Sequence, residues 1–181
     1  MSKKKINIAI VGATGYVGLD LIKFLSKHPM VKIKYLCAQK KIGKNIQLFN
    51  KKLPKKLPLI SNLKLVNWDS VDVLFCALPN GEAQLLSKKL INKNLHIIDL
   101  SADFRLTNTF EYKKFYGINH KAKKLINQSI YSVSEFTKKR INQYKIIACA
   151  GCYPTSIQLP LLPLIKKNLI NNKNIIIDSK S

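Results

Sequence analysis

Arginine is nearly missing from this chain. Of its 32 basic residues only Arg105 and Arg140 are arginine, although 9 acidic residues leave a formal net charge of +23. An excess of that size can mark a nucleic-acid binder, because neutralising phosphates supplies affinity without sequence information. Surfaces that read nucleic acid draw on the bidentate fork of Arg, which Lys does not replace. Here the lysines spread along the whole chain rather than gathering on one periodic face. Together with abundant Asn and Ile they read as a drift of overall composition, so solvated lysines are expected and a nucleic-acid partner is not.

Long apolar runs are also lacking. No stretch reaches the roughly 18 residues needed to span a bilayer, and the longest candidates are broken by Pro or Lys, so no membrane partner is expected. The opening MSKKKINIAIVGATGYVG has a basic head and an apolar run, but glycines interrupt it early and no small-residue cleavage site follows. It reads as a first strand, with a cytoplasmic location expected. Metal-ligand spacing is missing too. A structural zinc site wants four Cys or His ligands in two close pairs, whereas Cys149-x-x-Cys152 is the one close pair. Cys37 and Cys76 fall in separate predicted strands, and His28, His96 and His120 are scattered. There is no internal repeat or low-complexity segment.

What is present alternates. INIAIV at residues 6–11 is a β-branched strand, and VGLDLIKFLSKH after it carries a helical stripe of Val17, Leu21, Ile22, Phe24 and Leu25. VKIKYLCA (residues 31–38), LKLV, VDVLFCAL and LHIIDLS predict further strands, with a helix over residues 82–91 before the last. A capping signal at Ser134 in SEFTKKRINQ leads to the strand KIIACA. After GCYPTS the pattern predicts a helix to Leu169, shortened or kinked by Pro160 and Pro163, and a final strand NIIIDS. Residues 40–62 read as a basic loop, and 102–129 give no clear period. The expected fold class is α/β: a Rossmann-like, doubly wound parallel sheet, with the beginning of a second α+β domain.

The first chemical motif, GATGYVG, comprises Gly12, Ala13, Thr14, Gly15, Tyr16, Val17 and Gly18, directly after the first strand and opening the first helix. That context suits a dinucleotide. Glycines allow a tight turn and close backbone approach to a pyrophosphate, and the helix N-terminus adds partial positive charge. A bland β-α turn is the alternative. An NAD-type site places an Asp or Glu about 20 residues further on, to hold the ribose. No acid occurs between Asp20 and Asp69, and the second strand runs into Ala38, Gln39 and Lys40. A missing acid and available cations favour a 2′-phosphate, hence NADP.

The second motif, ACAGCYPTS, holds the close cysteine pair. Cys149 ends an apolar strand, where a buried small hydrophobe is the usual role. Cys152 follows Gly151 into the turn and precedes Pro154, where a helix dipole stabilises a thiolate. A single nucleophile at Cys152 is therefore favoured, and a thioredoxin-like pair is the alternative.

GATGYVG, IDLSADFRL (residues 98–106), YSVSE (131–135) and GCYPT (151–155), in that order, resemble N-acetyl-γ-glutamyl-phosphate reductase of arginine biosynthesis. The similarity runs from about residue 6 to the end of the chain. The sister family, aspartate-semialdehyde dehydrogenase, usually has Asn-Cys-x-Thr at the nucleophile and lacks the LSADFRL form. Two departures stand out: Cys149-Ala150 replaces the family's Asn-Pro, and Ser132 replaces a Gly. The resemblance implies an NADP-dependent oxidoreductase that reduces N-acetylglutamyl 5-phosphate to the semialdehyde through a Cys152 thioester, releasing phosphate. It implies an NADP-binding domain over residues 1–150 and the start of a truncated catalytic domain over 151–181, homo-oligomeric at full length. It adds Pro79 to the cofactor residues and assigns Arg105 and Ser101 to the substrate. For Arg105 a surface ion pair with Asp103 or another acid is the alternative, and Asp99 and Asp103 can serve as turn or capping residues. The family's general acid/base histidine lies beyond the cysteine. No His follows Cys152, and His120 in YGINH matches a different position. An N-terminal portion is thus expected, against the alternatives of a stand-alone dinucleotide- or nucleic-acid-binding module or a related acyl-phosphate reductase.

Overall fold

A computed structural model describes residues 4–180. Its elements, in order, are β1 (Ile6–Val11), α1 (Tyr16–Leu25), β2 (Val31–Cys37), β3 (Ile60–Ser61), β4 (Val73–Cys76), α2 (Glu82–Leu90), β5 (His96–Asp99), α3 (Thr109–Tyr116), β6 (Ser129–Ser132), α4 (Ser134–Thr137), β7 (Ile146–Cys149) and α5 (Cys152–Lys166). The seven strands form one sheet, ordered β3-β2-β1-β4-β5-β7-β6, and every pairing is parallel.

Alternation along β1 explains why the sheet is covered on both faces. Ile8 and Ile10 pack with Ile22 of α1, Leu36 and Ile60, whereas Ala9 and Val11 pack with Ala83 and Leu90 of α2, Leu74 and Ile97. A central strand buried on both sides needs apolar residues at every position, which INIAIV supplies after its first two residues. The chain passes from β1 through α1 to β2 on one side, then returns to β4 on the other. Such a reversal opens a crevice beyond the carboxyl ends of β1 and β4.

Several predicted elements come out differently. LKLV is a 3-10 turn, Leu63–Leu65, because the Asn62 side chain accepts from the Lys64 N–H and bends the backbone. The Ser134 segment is one helical turn, and Ser134 lies inside it: the N-cap is Val133, with no side-chain cap. α5 continues through Pro160 and Pro163 and stops at Lys166, short of Leu169. NIIIDS forms no strand among the described residues, and Ile176 is 94% exposed. β-branched composition favours a strand only where a neighbouring ladder receives it. Conversely, β6 carried no strand signal of its own and is built by pairing with β7. α3 forms inside the unclear segment because the Asn108 side chain accepts from the Phe110 and Glu111 N–H groups and Gly117 ends it at φ 71°.

Candidate functional site

The crevice is built from the turn after β1. Gly12 has φ 84°, and a Cβ there would lie 2.0 Å from the Ala77 carbonyl oxygen, so the turn lies flush against the end of β4. The Gly12 and Ala13 N–H groups both donate to the Cys37 carbonyl at 3.0 Å, which fixes the loop to β2. α1 then starts at Tyr16 with Gly15 as its N-cap, with no side-chain cap and no acid in its first turn. Its first N–H groups and positive dipole end are therefore open to an anion.

The cleft in front of this helix end measures about 720 Å³. Of the residues assigned to a cofactor from sequence, Gly12, Thr14, Gly15, Tyr16, Val17, Ala38, Gln39, Lys40 and Pro79 line it. Ala13 and Gly18 do not. Ala13 is buried in the α1-side core, and a Cβ on Gly18 would meet the Gly12 carbonyl oxygen at 2.2 Å. Both sit where α1 packs closely against the loop. Tyr16 is 93% exposed at the mouth. Sequence patterning missed Phe49, Asn62, Leu63 and Glu82, which also line the cleft. Phe49 and Asn62 come from the stretch read as a basic loop, and Leu63 from LKLV, whose expected strand is a 3-10 turn. The loop carrying Gln39 and Lys40 is held in shape: the Gly43 N–H donates to the Ile60 carbonyl at 2.7 Å, and the Ile60 N–H to the Lys44 carbonyl at 2.9 Å.

The thiol turn is reached from β7. The Ala150 N–H donates to the Ser132 carbonyl, Gly151 caps α5, and Cys152 is that helix's first residue, exposed, with no side-chain cap and no acid in the first turn. The two close cysteines differ in environment. Cys149 is half-buried at the strand end, and its thiol is pushed up to about 11 by burial and by the nearby Asp99 charge. Cys37 and Cys76 are buried, with thiols raised chiefly by burial.

Arg105 connects this turn to the loop after β5. Its Nε–H donates to the Cys149 carbonyl at 2.9 Å and an Nη2–H to the Leu100 carbonyl at 3.2 Å. Nη1 lies 3.1 Å from where a Cβ on Gly151 would be, so the guanidinium rests against the residue preceding Cys152. Among the described residues no ion pair joins Arg105 to Asp103. Ser101 is buried and internally engaged: its hydroxyl donates to Asp99 Oδ1 at 2.6 Å and accepts the Asp103 N–H at 3.2 Å. Asp99 Oδ2 is buried without a hydrogen-bond partner, and burial pushes this carboxyl up to about 6. Among the described residues no group of three or more His, Cys, Asp or Glu side chains is placed to hold a metal ion, and no helix is long and apolar enough to cross a membrane.

Comparison with known proteins gives two family matches, two similar relatives and one similar fold. Residues 7–144 match the family described as semialdehyde dehydrogenase, NAD binding domain, and residues 152–181 match semialdehyde dehydrogenase, dimerisation domain. The chain is 42% identical over 180 residues to the probable chloroplastic N-acetyl-gamma-glutamyl-phosphate reductase of Arabidopsis thaliana, covering 99% of this chain and 45% of that protein. It is 40% identical over 186 residues to N-acetyl-gamma-glutamyl-phosphate reductase of Rhodospirillum rubrum, covering 98% and 52%. The fold is similar to aspartate semialdehyde dehydrogenase II of Vibrio cholerae, with a TM-score of 0.67 at 20% identity over 91% of this chain and 43% of that one. The chain spans about half the length of the curated relatives it matches.

Proposed function

The chain belongs to the semialdehyde dehydrogenase family through its NAD-binding domain, and from that premise we propose that it supplies the cofactor site and nucleophile of an N-acetyl-γ-glutamyl-phosphate reductase. The reaction is reduction of N-acetylglutamyl 5-phosphate to N-acetylglutamate 5-semialdehyde, with NADPH as donor and phosphate released. The observation that carries this reading is the exposed Cys152 at an open helix N-terminus, with the Arg105 guanidinium resting on the residue before it. The names of the relatives at about 40% identity support the choice of substrate.

The cleft fits a dinucleotide: a glycine turn that no Cβ could enter, an uncapped helix end and about 720 Å³ of space. The backbone at Thr14, Gly15, Tyr16 and Val17 would hold the pyrophosphate, with Pro79 on the opposite wall. Ala38, Gln39 and Lys40 would receive a 2′-phosphate, because the acid that lines the cleft, Glu82, belongs to α2 and not to the end of β2. When bound, the dinucleotide supplies a hydride.

Catalysis by this chain's own residues then begins at sulfur. The Cys152 thiolate attacks the acyl carbon, the bond to the phosphate oxygen breaks, and phosphate leaves with that electron pair, giving a thioester on Sγ. Arg105 offers a fixed cation for the phosphate or carboxylate of the substrate, a task suited to its planar fork. Cys149 stays a protonated, half-buried spectator. α5 and residues 167–180 bury no side chain, which supports reading residues 151–181 as the start of a second domain whose remainder would cover them. A cytoplasmic homo-oligomer with a small-molecule substrate completes the proposal.

Two measurements test it. Fluorescence titration should show NADPH binding more tightly than NADH, with Lys40→Ala narrowing the gap; equal or reversed affinities overturn the NADP assignment. Mixing the chain with N-acetylglutamyl phosphate should release phosphate and leave an acyl adduct on Cys152, read by mass spectrometry. An adduct on Cys149 instead, or none, would overturn the nucleophile.

A further inference from the structure

Between the cleft and the thiol turn lies a buried carboxylate that lines neither. Asp103 is fully buried. The Gly81 N–H reaches both its oxygens, at 2.7 and 2.9 Å, and the Gln84 N–H donates to Oδ2 at 3.1 Å. Gln84 Nε2 and the Tyr112 hydroxyl donate to Oδ1 at 3.0 and 2.6 Å. Gly81 is the N-cap of α2 and has no side chain with which to cap it. Asp103 therefore caps that helix from 22 residues away, placing negative charge at its positive dipole end.

The two sides of this contact lead to different places. Residues 77–79, which Asn80 separates from the cap, and Glu82 immediately after the cap line the cleft, and Asn80 Oδ1 accepts the Ala102 N–H of the Arg105 loop at 3.1 Å. On the other side Asp103 sits two positions before Arg105, in a loop tightened by the Arg105 N–H donating to the Ala102 carbonyl. We propose that Asp103 is a positioning residue that fastens the Arg105 loop to the cleft wall, so that one carboxylate sets both dinucleotide affinity and the placement of the cation beside Cys152. An amide at this position turns one acceptor into a donor and sets it against N–H or O–H groups that are themselves donors. The anchor shared by the helix cap and the loop is then weakened, leaving the Asn80 Oδ1 contact to the Ala102 N–H as the other link between them. The inference rests on the dinucleotide reading of the cleft for its affinity arm; the Arg105 arm stands without it.

Neither readout needs turnover. The ratio of alkylation rates at Cys152 by anionic iodoacetate and neutral iodoacetamide, followed by peptide mass spectrometry, reports positive charge near the thiol. NADPH affinity is read by fluorescence. Arg105→Ala sets the floor of the ratio. Asp103→Asn should bring the ratio down toward that floor and weaken NADPH by roughly tenfold, the scale of a lost hydrogen bond to a charged group. Tyr112→Phe, which removes one donor and keeps the carboxylate, should lower both by a smaller factor. A folded Asp103→Asn protein with a wild-type ratio overturns the proposal, whatever its NADPH affinity. If Asp103→Asn does not fold, wild-type values of both readouts in Tyr112→Phe overturn it. If the wild-type chain does not bind NADPH, the cleft reading fails, and the alkylation ratio in Asp103→Asn still decides the link to Arg105.

Discussion

His120 holds the main chain of Asp103: its Nε2–H donates to the Asp103 carbonyl at 2.8 Å, while Nδ1 accepts the Ala122 N–H at 3.2 Å. Both ring nitrogens are thereby used in the neutral form, and the ring sits edge-on to Phe104 and Tyr112. A general acid/base has to meet substrate, and this imidazole is 3% exposed. His120→Gln is expected to cost about 1–3 kcal/mol of stability, read by urea unfolding. Burial lowers the folded pKa of His120 from 6.5. Its contribution is therefore present above the unfolded value and lost as pH falls through the folded one. Urea unfolding at pH 5.5 and 7.5 should show a larger mutational cost at the higher pH; an equal cost at both would remove His120 as the source.

Asp99 should show the opposite sign. Burial raises its carboxyl from 3.8 to about 6, and Oδ2 has no partner. The folded state binds the proton more tightly, so the contribution is full below 3.8 and is lost as pH rises through about 6. Asp99→Asn keeps an acceptor for Ser101 and removes the buried charge. It should be more stable than wild type at pH 8, by something on the order of 2 kcal/mol, with the advantage gone at pH 4. Unfolding midpoints that do not differ at either pH would contradict this.

Gly12 and Gly18 should be intolerant of a single methyl. A Cβ on Gly12 would fall 2.0 Å from the Ala77 oxygen with φ at 84°, and one on Gly18 would fall 2.2 Å from the Gly12 oxygen. Both neighbours are backbone, so relief requires moving β1 or α1. Each Gly→Ala change is expected to cost roughly 3 kcal/mol or more and to abolish dinucleotide binding. Gly43→Ala is the control for backbone strain alone, because its φ is 77° with no atom near the added methyl. Thermal melts and NADPH titration of the three variants check the order.

The two close thiols should separate by reactivity. Cys152 is exposed, whereas the Cys149 thiol is half-buried and pushed up to about 11. Iodoacetamide at pH 7.5 should label Cys152 first; Cys152→Ser should remove the rapid phase and Cys149→Ser should keep it. Equal loss in both variants would favour a redox pair.

The strand-turn-helix at the start of the chain was legible because hydrophobic period, glycine position and helix onset agree there. Gly12 and Gly15 line the cleft, whereas Ala13 and Gly18 of the same motif are packed behind it. Spacing alone does not separate a glycine that admits a ligand from one that admits a helix. Phe49 and Leu63 escaped for a different reason: Phe49 lies in a stretch read as a loop and Leu63 in one read as a strand, and both line the cleft because the chain loops back past β2 before starting β4. β6 and NIIIDS make the complementary point. SIYS becomes a strand because β7 lies beside it, and the more strand-like NIIIDS stays unpaired. Arg105 stands out as the one arginine inside a matched motif, yet its partners are the carbonyls of Cys149 and Leu100 and not the carboxylate of Asp103, because that carboxylate is filled by Gly81, Gln84 and Tyr112.

Among the described residues the order β5-β7-β6 places the last strand between two earlier ones, and β6 pairs with β7 alone. On the ribosome, where N-terminal segments emerge first, β6 has no neighbour until β7 is made, and β5 keeps an open edge for the same interval. Insertion of β7 closes both edges at once. It also delivers the Cys149 carbonyl to the Arg105 guanidinium and carries the chain directly into Gly151 and Cys152. A nascent chain halted before residue 146 would hold a complete glycine turn and an unassembled thiol turn, so the reactive sulfur takes its place only once β7 has joined β5 to β6.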